Sequence, residues 1–110
     1  MRMISNPVHR SKMYEETLQI LGGPNSKMFT TLRDALGFAA ALGYREGRRW
    51  KFDNNAGRED IQAQIYNGND AIDLIFAIGL AENKSAEILK IENEKSCIEI
   101  FEEYANGGLA

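Results

Sequence analysis

Leu32, Leu36, Ala39 and Ala40 recur at three- and four-residue steps, and Ala35, Phe38 and Leu42 widen the same face. That spacing predicts an amphipathic helix. Thr31 followed three residues later by Asp34 approximates a capping box, with the shorter acid in place of Glu or Gln. The many alanines suggest close approach to other helices, and Gly43 stands where a left-handed residue would stop the helix.

Four further segments carry helical patterns. Met13, Leu18, Ile20 and Leu21 give an apolar side to a helix starting at Ser11, whose hydroxyl can accept a bond from an early N–H. Glu15 and Glu16 in its first turn suit the helix dipole, and Gly22-Gly23-Pro24 ends it. Asn69-Asp70 opens a pattern over Ala71 to Glu82, with Ile72, Ile75, Phe76, Gly79 and Leu80 on one face. Leu74, Ile78 and Ala81 lie on another, and a helix apolar on most of its circumference is expected at the centre of a fold. Ser85 caps Ala86–Ile91, which is expected to turn Ile88, Leu89 and Ile91 inward. The last helix, about Glu94 to Ala105, places Ile98, Phe101 and Tyr104 at three-residue steps with Ile100 beside them. Glu92, Glu94, Glu99, Glu102 and Glu103 are expected on its outside or just before it, and Gly107-Gly108 is expected to end it.

Tyr44 to Gly68 is ambiguous. Arg49–Phe52 reads as a short strand or a loop, Asp53–Gly57 as a turn or loop, and Ile61–Tyr66 as a strand or a short helix. A small β-hairpin from Arg49–Phe52 and Ile61–Tyr66 is one option. Met1–Arg10 reads as an N-terminal arm, turning or extended at Asn6-Pro7. The expected fold is mainly α: a compact single-domain bundle of about five helices over residues 11–110, with or without a hairpin after residue 44.

Composition narrows this without redirecting it. A chain of 110 residues can build one core without metal or disulfide staples. The single cysteine, Cys97, cannot form an internal disulfide and reads as a small half-buried helix residue. The longest apolar run, Leu74 to Ala81, is too short to span a bilayer. Met1–Ile4 leads into polar residues rather than a signal-peptide apolar run. A cytoplasmic protein with no membrane partner is expected.

Charge changes the picture more. Met1 to Arg58 carries ten Lys or Arg against five Asp or Glu, whereas Glu59 to Ala110 carries three against eleven. A front half of +5 and a back half of −8 can pair inside the fold, face partners of opposite sign, or drive self-association.

Catalytic chemistry is poorly supplied. His9, the one histidine, lies in the expected arm, and no triad, paired-cysteine zinc spacing, phosphate loop or dinucleotide motif occurs. Glu102-Glu103 reads as a solvated face rather than an acid/base pair. The expectation is a protein that is not an enzyme, with no cofactor and no metal.

The polar feature that invites a partner is Arg45, Arg48, Arg49 and Lys51, with Trp50 among them. Guanidinium forks match phosphate or carboxylate oxygens, and an indole can stack on a base. Four cations neutralise few phosphates, and the acidic half repels nucleic acid. Three readings stand: a nucleic-acid contact, pairing with Glu99, Glu102 and Glu103 of the same or a neighbouring chain, or solvated cations beside a buried Trp50.

Two segments together carry a family likeness: Phe29-Thr30-Thr31-Leu32-Arg33-Asp34-Ala35-Leu36-Gly37-Phe38-Ala39-Ala40-Ala41-Leu42-Gly43-Tyr44, running into Arg45-Glu46-Gly47-Arg48-Arg49, and Ile100-Phe101-Glu102-Glu103-Tyr104-Ala105-Asn106-Gly107-Gly108-Leu109. This pairing resembles the small DNA phosphorothioation-associated protein 4 family, also called dnd system-associated protein 4. The resemblance implies a place beside bacterial systems that put sulfur in the DNA backbone and restrict unmodified DNA. It brings no catalytic residues. The expected function is a non-enzymatic accessory protein of such a modification, restriction and phage-defence system, acting on other proteins of the system. The alternative is DNA binding through Arg45, Arg48, Arg49, Trp50 and Lys51.

Overall fold

The computed structural model describes residues 3–24, 26, 28–29, 31–52, 57–67 and 70–110. Residues 53–56 of the turn or loop expected over Asp53–Gly57, and Asn69 at the opening of the third helical pattern, lie outside them. Ser11 ends a short strand, β1 (Val8–Ser11), and its Oγ accepts the Met13 N–H at 3.2 Å. That cap starts a 3₁₀ turn leading into α1 (Glu15–Gly22), which stops at Gly23. α2 (Leu32–Glu46) begins as its sequence indicates, with Thr31 Oγ1 accepting the Asp34 N–H at 3.1 Å. β2 (Arg58–Ile61), the short α3 (Ala63–Tyr66) and α4 (Ala71–Asn83) follow. After 3₁₀ turns at Ala86–Leu89 and Ile91–Asn93 comes α5 (Glu94–Leu109). The fold is mainly α, with five α-helices among the described residues and a two-stranded antiparallel sheet.

The sheet is not the local hairpin of Arg49–Phe52 with Ile61–Tyr66. β2, after residue 44, pairs with β1 near the start of the chain, in the register Val8↔Ile61 and Ser11↔Arg58. Residues 49–52 form no strand, because their backbone is held by α5, and 63–66 are helical. The segment read as an arm contributes Ile4 and Val8 to the core. Burying each contributes about 2 kcal/mol. Asn67 fixes this segment with a two-way amide contact, accepting Ile4 N–H at 2.7 Å and donating to Ile4 O at 2.9 Å.

The central helix is α5 rather than α4. It packs on α2, α4 and β1, whereas α4 leaves Ala77, Leu80 and Ala81 exposed. Ile91, expected inward, is 84% exposed. Glycines explain how α5 becomes central. Gly43 does not stop α2; a methyl group there would lie 2.0 Å from Tyr104 O on α5. Gly108 does not stop α5; a methyl group there would lie 1.8 Å from Ala39 O on α2. Both residues let two helix backbones approach to near contact, and both helices run on past them. At the α4–α5 contact, Gly79 faces Cys97, which is fully buried rather than half-buried, with its thiol 3.5 Å from Ile75 O.

The glutamates of α5 also depart from expectation. Glu94, Glu102 and Glu103 are buried, and each carboxylate is met by donors from far along the chain. Glu94 Oε2 accepts the N–H groups of Ser5 and Asn6 at 3.0 Å, together with both their side chains. Burial pushes the Glu94 carboxyl up, but these four donors outweigh it and hold it below its ordinary value. Glu102 accepts the His9 N–H, and Glu103 meets Arg49.

Candidate functional site

The basic cluster straddles the end of α2. Gly47 adopts the left-handed conformation (φ 70°) that glycine takes at lowest cost, and it is the true helix stop. The N–H of Arg48 reaches Gly43 O at 2.8 Å and that of Gly47 reaches Tyr44 O at 3.2 Å, the paired bonds of a Schellman cap. The chain then lies directly over the last turns of α5. A methyl group at Gly107 would sit 1.8 Å from Arg48 O, so this glycine gives the loop its seat. Trp50 N–H donates to Glu103 O at 3.1 Å, and Asn106 Nδ2 donates to the carbonyls of Trp50 and Lys51 at 3.1 and 3.3 Å.

Arg49 fastens this loop through its side chain. Its Nε donates to Glu103 Oε1 at 2.7 Å and a terminal nitrogen donates to Glu82 Oε2 at 3.2 Å. Burial works against the charged guanidinium, yet bonds from Glu103 and Glu82 more than compensate and raise it above its ordinary value. Glu82 also accepts the Tyr104 hydroxyl, which burial and this carboxylate together push up to about 12. Tyr44 packs edge-on against Tyr104, with ring centroids 5.3 Å apart. One arginine thus ties the loop to the end of α4 and to α5. Of the acids weighed as internal partners for the cluster, it meets Glu103 of the same chain.

The remaining cluster residues point elsewhere. Arg45, Arg48 and Lys51 are exposed, and none is ion-paired among the described residues. Trp50 is 45% exposed, with its backbone bonded on both sides, and Tyr44 is exposed beside Arg45. Tyr44 and Arg45 thus stand exposed on the last turn of α2, and Arg48, Trp50 and Lys51 on the fixed loop that follows it, with Arg49 set apart from them as the anchor. Glu82, Tyr104 and Asn106 complete this arrangement and are not picked out by sequence reasoning. The Gly107-Gly108 pair is the sequence feature nearest to them, and it fits a helix stop as well as the close backbone approach found here.

Among the described residues no cluster of His, Cys, Asp or Glu is arranged to hold a metal ion. Among the described residues no helix is long and apolar enough to cross a membrane. No curated protein and no solved structure matches the chain. The sequence model of the family described as DNA sulphur modification system-associated protein 4 matches residues 7–110, nearly the whole of the fold just described, and the chain belongs to that family.

Proposed function

We propose that this protein is a non-enzymatic accessory component of a DNA sulphur modification system, serving modification-linked restriction and phage defence in the cytoplasm. It acts by contact with another protein of the system through Tyr44, Arg45, Arg48, Trp50 and Lys51. The observation carrying this reading is the Arg49 anchor, which binds Glu82 and Glu103 and holds the loop in place before any partner arrives. A preset loop loses little conformational entropy on binding. Tryptophan, tyrosine and arginine are the residues in which interface binding energy concentrates. Three free cations suit an acidic patch on a partner, and the opposite charges of the chain's two halves also allow self-association.

DNA binding by the same loop is the second reading, favoured by the exposed indole between cations. Three cations would release about three phosphate counterions, so such binding would be weak and would vanish with added salt. Co-purification from the native host distinguishes the two. The wild type is expected to retain a protein of the sulphur modification system, and Arg45→Glu with Arg48→Glu is expected to lose it while keeping its circular dichroism. If no such protein is retained and duplex DNA shifts in a low-salt gel, lost on Arg48→Ala, the second reading replaces the first.

A further inference from the structure

We propose that the cleft between the N-terminal segment, β2 and α5 is a binding site for a phosphorylated small molecule of mononucleotide size. The cleft holds about 520 Å³, within the range of small-ligand pockets. Its charge is uneven. Among the described residues, Arg10, Lys12, Arg33, Arg49 and Lys90 each have a carboxylate partner. Arg45, Arg48, Lys51, Arg58, Lys84 and Lys95 have no ion-pair partner among the described residues. Half of those six, Lys51, Arg58 and Lys95, line this one cleft, and they come from the loop after α2, from β2 and from α5.

The acids in the cleft do little to cancel them. Glu103 is engaged by Arg49, which leaves Glu99 as the exposed carboxylate there. Glu102 is buried at the cleft wall and accepts the His9 N–H. Burial, opposed by that bond and by the fields of His9 and Arg58, raises its carboxyl to about 7, which lessens its negative charge near neutral pH.

Three cations arriving from separate elements suit a phosphate group, which offers three oxygens and two negative charges, better than a carboxylate with two oxygens in one plane. Phe52 and Ile98 are the apolar side chains that also line it, and the Phe52 ring offers a surface on which a flat ring can stack. The same cleft thus supplies both cations and apolar side chains, the two kinds of contact a mononucleotide needs.

Isothermal titration of the full chain at low salt, near neutral pH, tests this with inorganic phosphate, a 5′-mononucleotide and the matching nucleoside. The mononucleotide is expected to bind more tightly than phosphate, and the nucleoside not to bind. Arg58→Ala with Lys95→Ala, both surface changes checked by circular dichroism, should weaken the mononucleotide about tenfold or more. Arg45→Ala with Arg48→Ala should leave it unchanged, since of the partner-surface residues Lys51 alone lines this cleft. No binding by the wild type, binding undiminished in the Arg58/Lys95 variant, or equal affinity for inorganic phosphate would each overturn the proposal.

Discussion

Arg49 and Glu103 lie 2.7 Å apart, joining an exposed loop to a glutamate whose side chain is only 8% exposed on the central helix. Removing the guanidinium leaves Glu103 buried without its cation and also strips a donor from Glu82. Arg49→Ala is therefore expected to cost about 2 kcal/mol in urea unfolding, the scale of hydrogen bonds to charged groups. Arg48→Ala, one residue earlier and exposed, should stay within about 0.5 kcal/mol. Equal effects at the two positions would mean that Arg49 is no anchor.

The α2–α5 crossing makes a sharper prediction. Gly43→Ala and Gly108→Ala place a methyl group 2.0 Å from Tyr104 O and 1.8 Å from Ala39 O, both rigid helix backbone. Each should lose about 3 kcal/mol or more, through forced separation of the helices. Gly37→Ala meets only the movable Leu74 Cδ2 at 3.3 Å, and helix propensity favours it by about 1 kcal/mol, so its stability should change by less than that. Thermal unfolding of the three variants gives the order directly.

These positions also mark how far the sequence could be read. What depends on neighbours in the chain was legible: the Thr31 cap, the Ser11 cap, the stop after Gly22 and the span of α4. A glycine in an apolar helix, however, fits a stop and a close crossing equally well, so Gly43 and Gly108 by themselves do not distinguish the two. The placement of α5 was hidden for a related reason. Its glutamates look like a solvated face, and their donors, Ser5, Asn6, His9 and Arg49, lie more than fifty positions away. β1 and β2 are four residues each, too short for alternation to announce a pairing between the chain's start and its middle. Within the candidate site, the cations and Trp50 were visible as composition. Which arginine faces inward was not, because Glu82 and Glu103 meet it only in the fold.

Tyr66 offers a test of core polarity. Its ring is fully buried and packs edge-on against Phe101, with centroids 6.4 Å apart. Its hydroxyl has no hydrogen-bond partner among the described residues. A buried unsatisfied hydroxyl costs about 1 kcal/mol or more, so Tyr66→Phe should raise the urea midpoint while leaving the slope unchanged. A lower midpoint would show that the hydroxyl is satisfied in solution.

Glu102 sets a dependence on pH whose sign can be worked out. Its carboxyl lies near 7 in the folded chain against an ordinary 4.5, because burial outweighs the His9 N–H and the favourable fields of His9 and Arg58, with Glu99 adding to the rise. Between those two values the folded state holds a proton that the unfolded state has released, so stability falls as pH rises. The contribution is fully present below 4.5 and is lost as pH rises through about 7, a span worth up to about 3 kcal/mol. Glu94 and Glu15 are held below their ordinary values, so their contributions run the other way and are lost as pH falls. Comparing the wild type with Glu102→Gln isolates the first effect, since glutamine stays neutral and keeps an oxygen for the His9 N–H. The two proteins should match in acid, and the variant should become the more stable as pH rises through about 7. Urea unfolding across that range measures the difference, and a wild type that stays the more stable above it would show that Glu102 carries its charge in the folded protein at no cost.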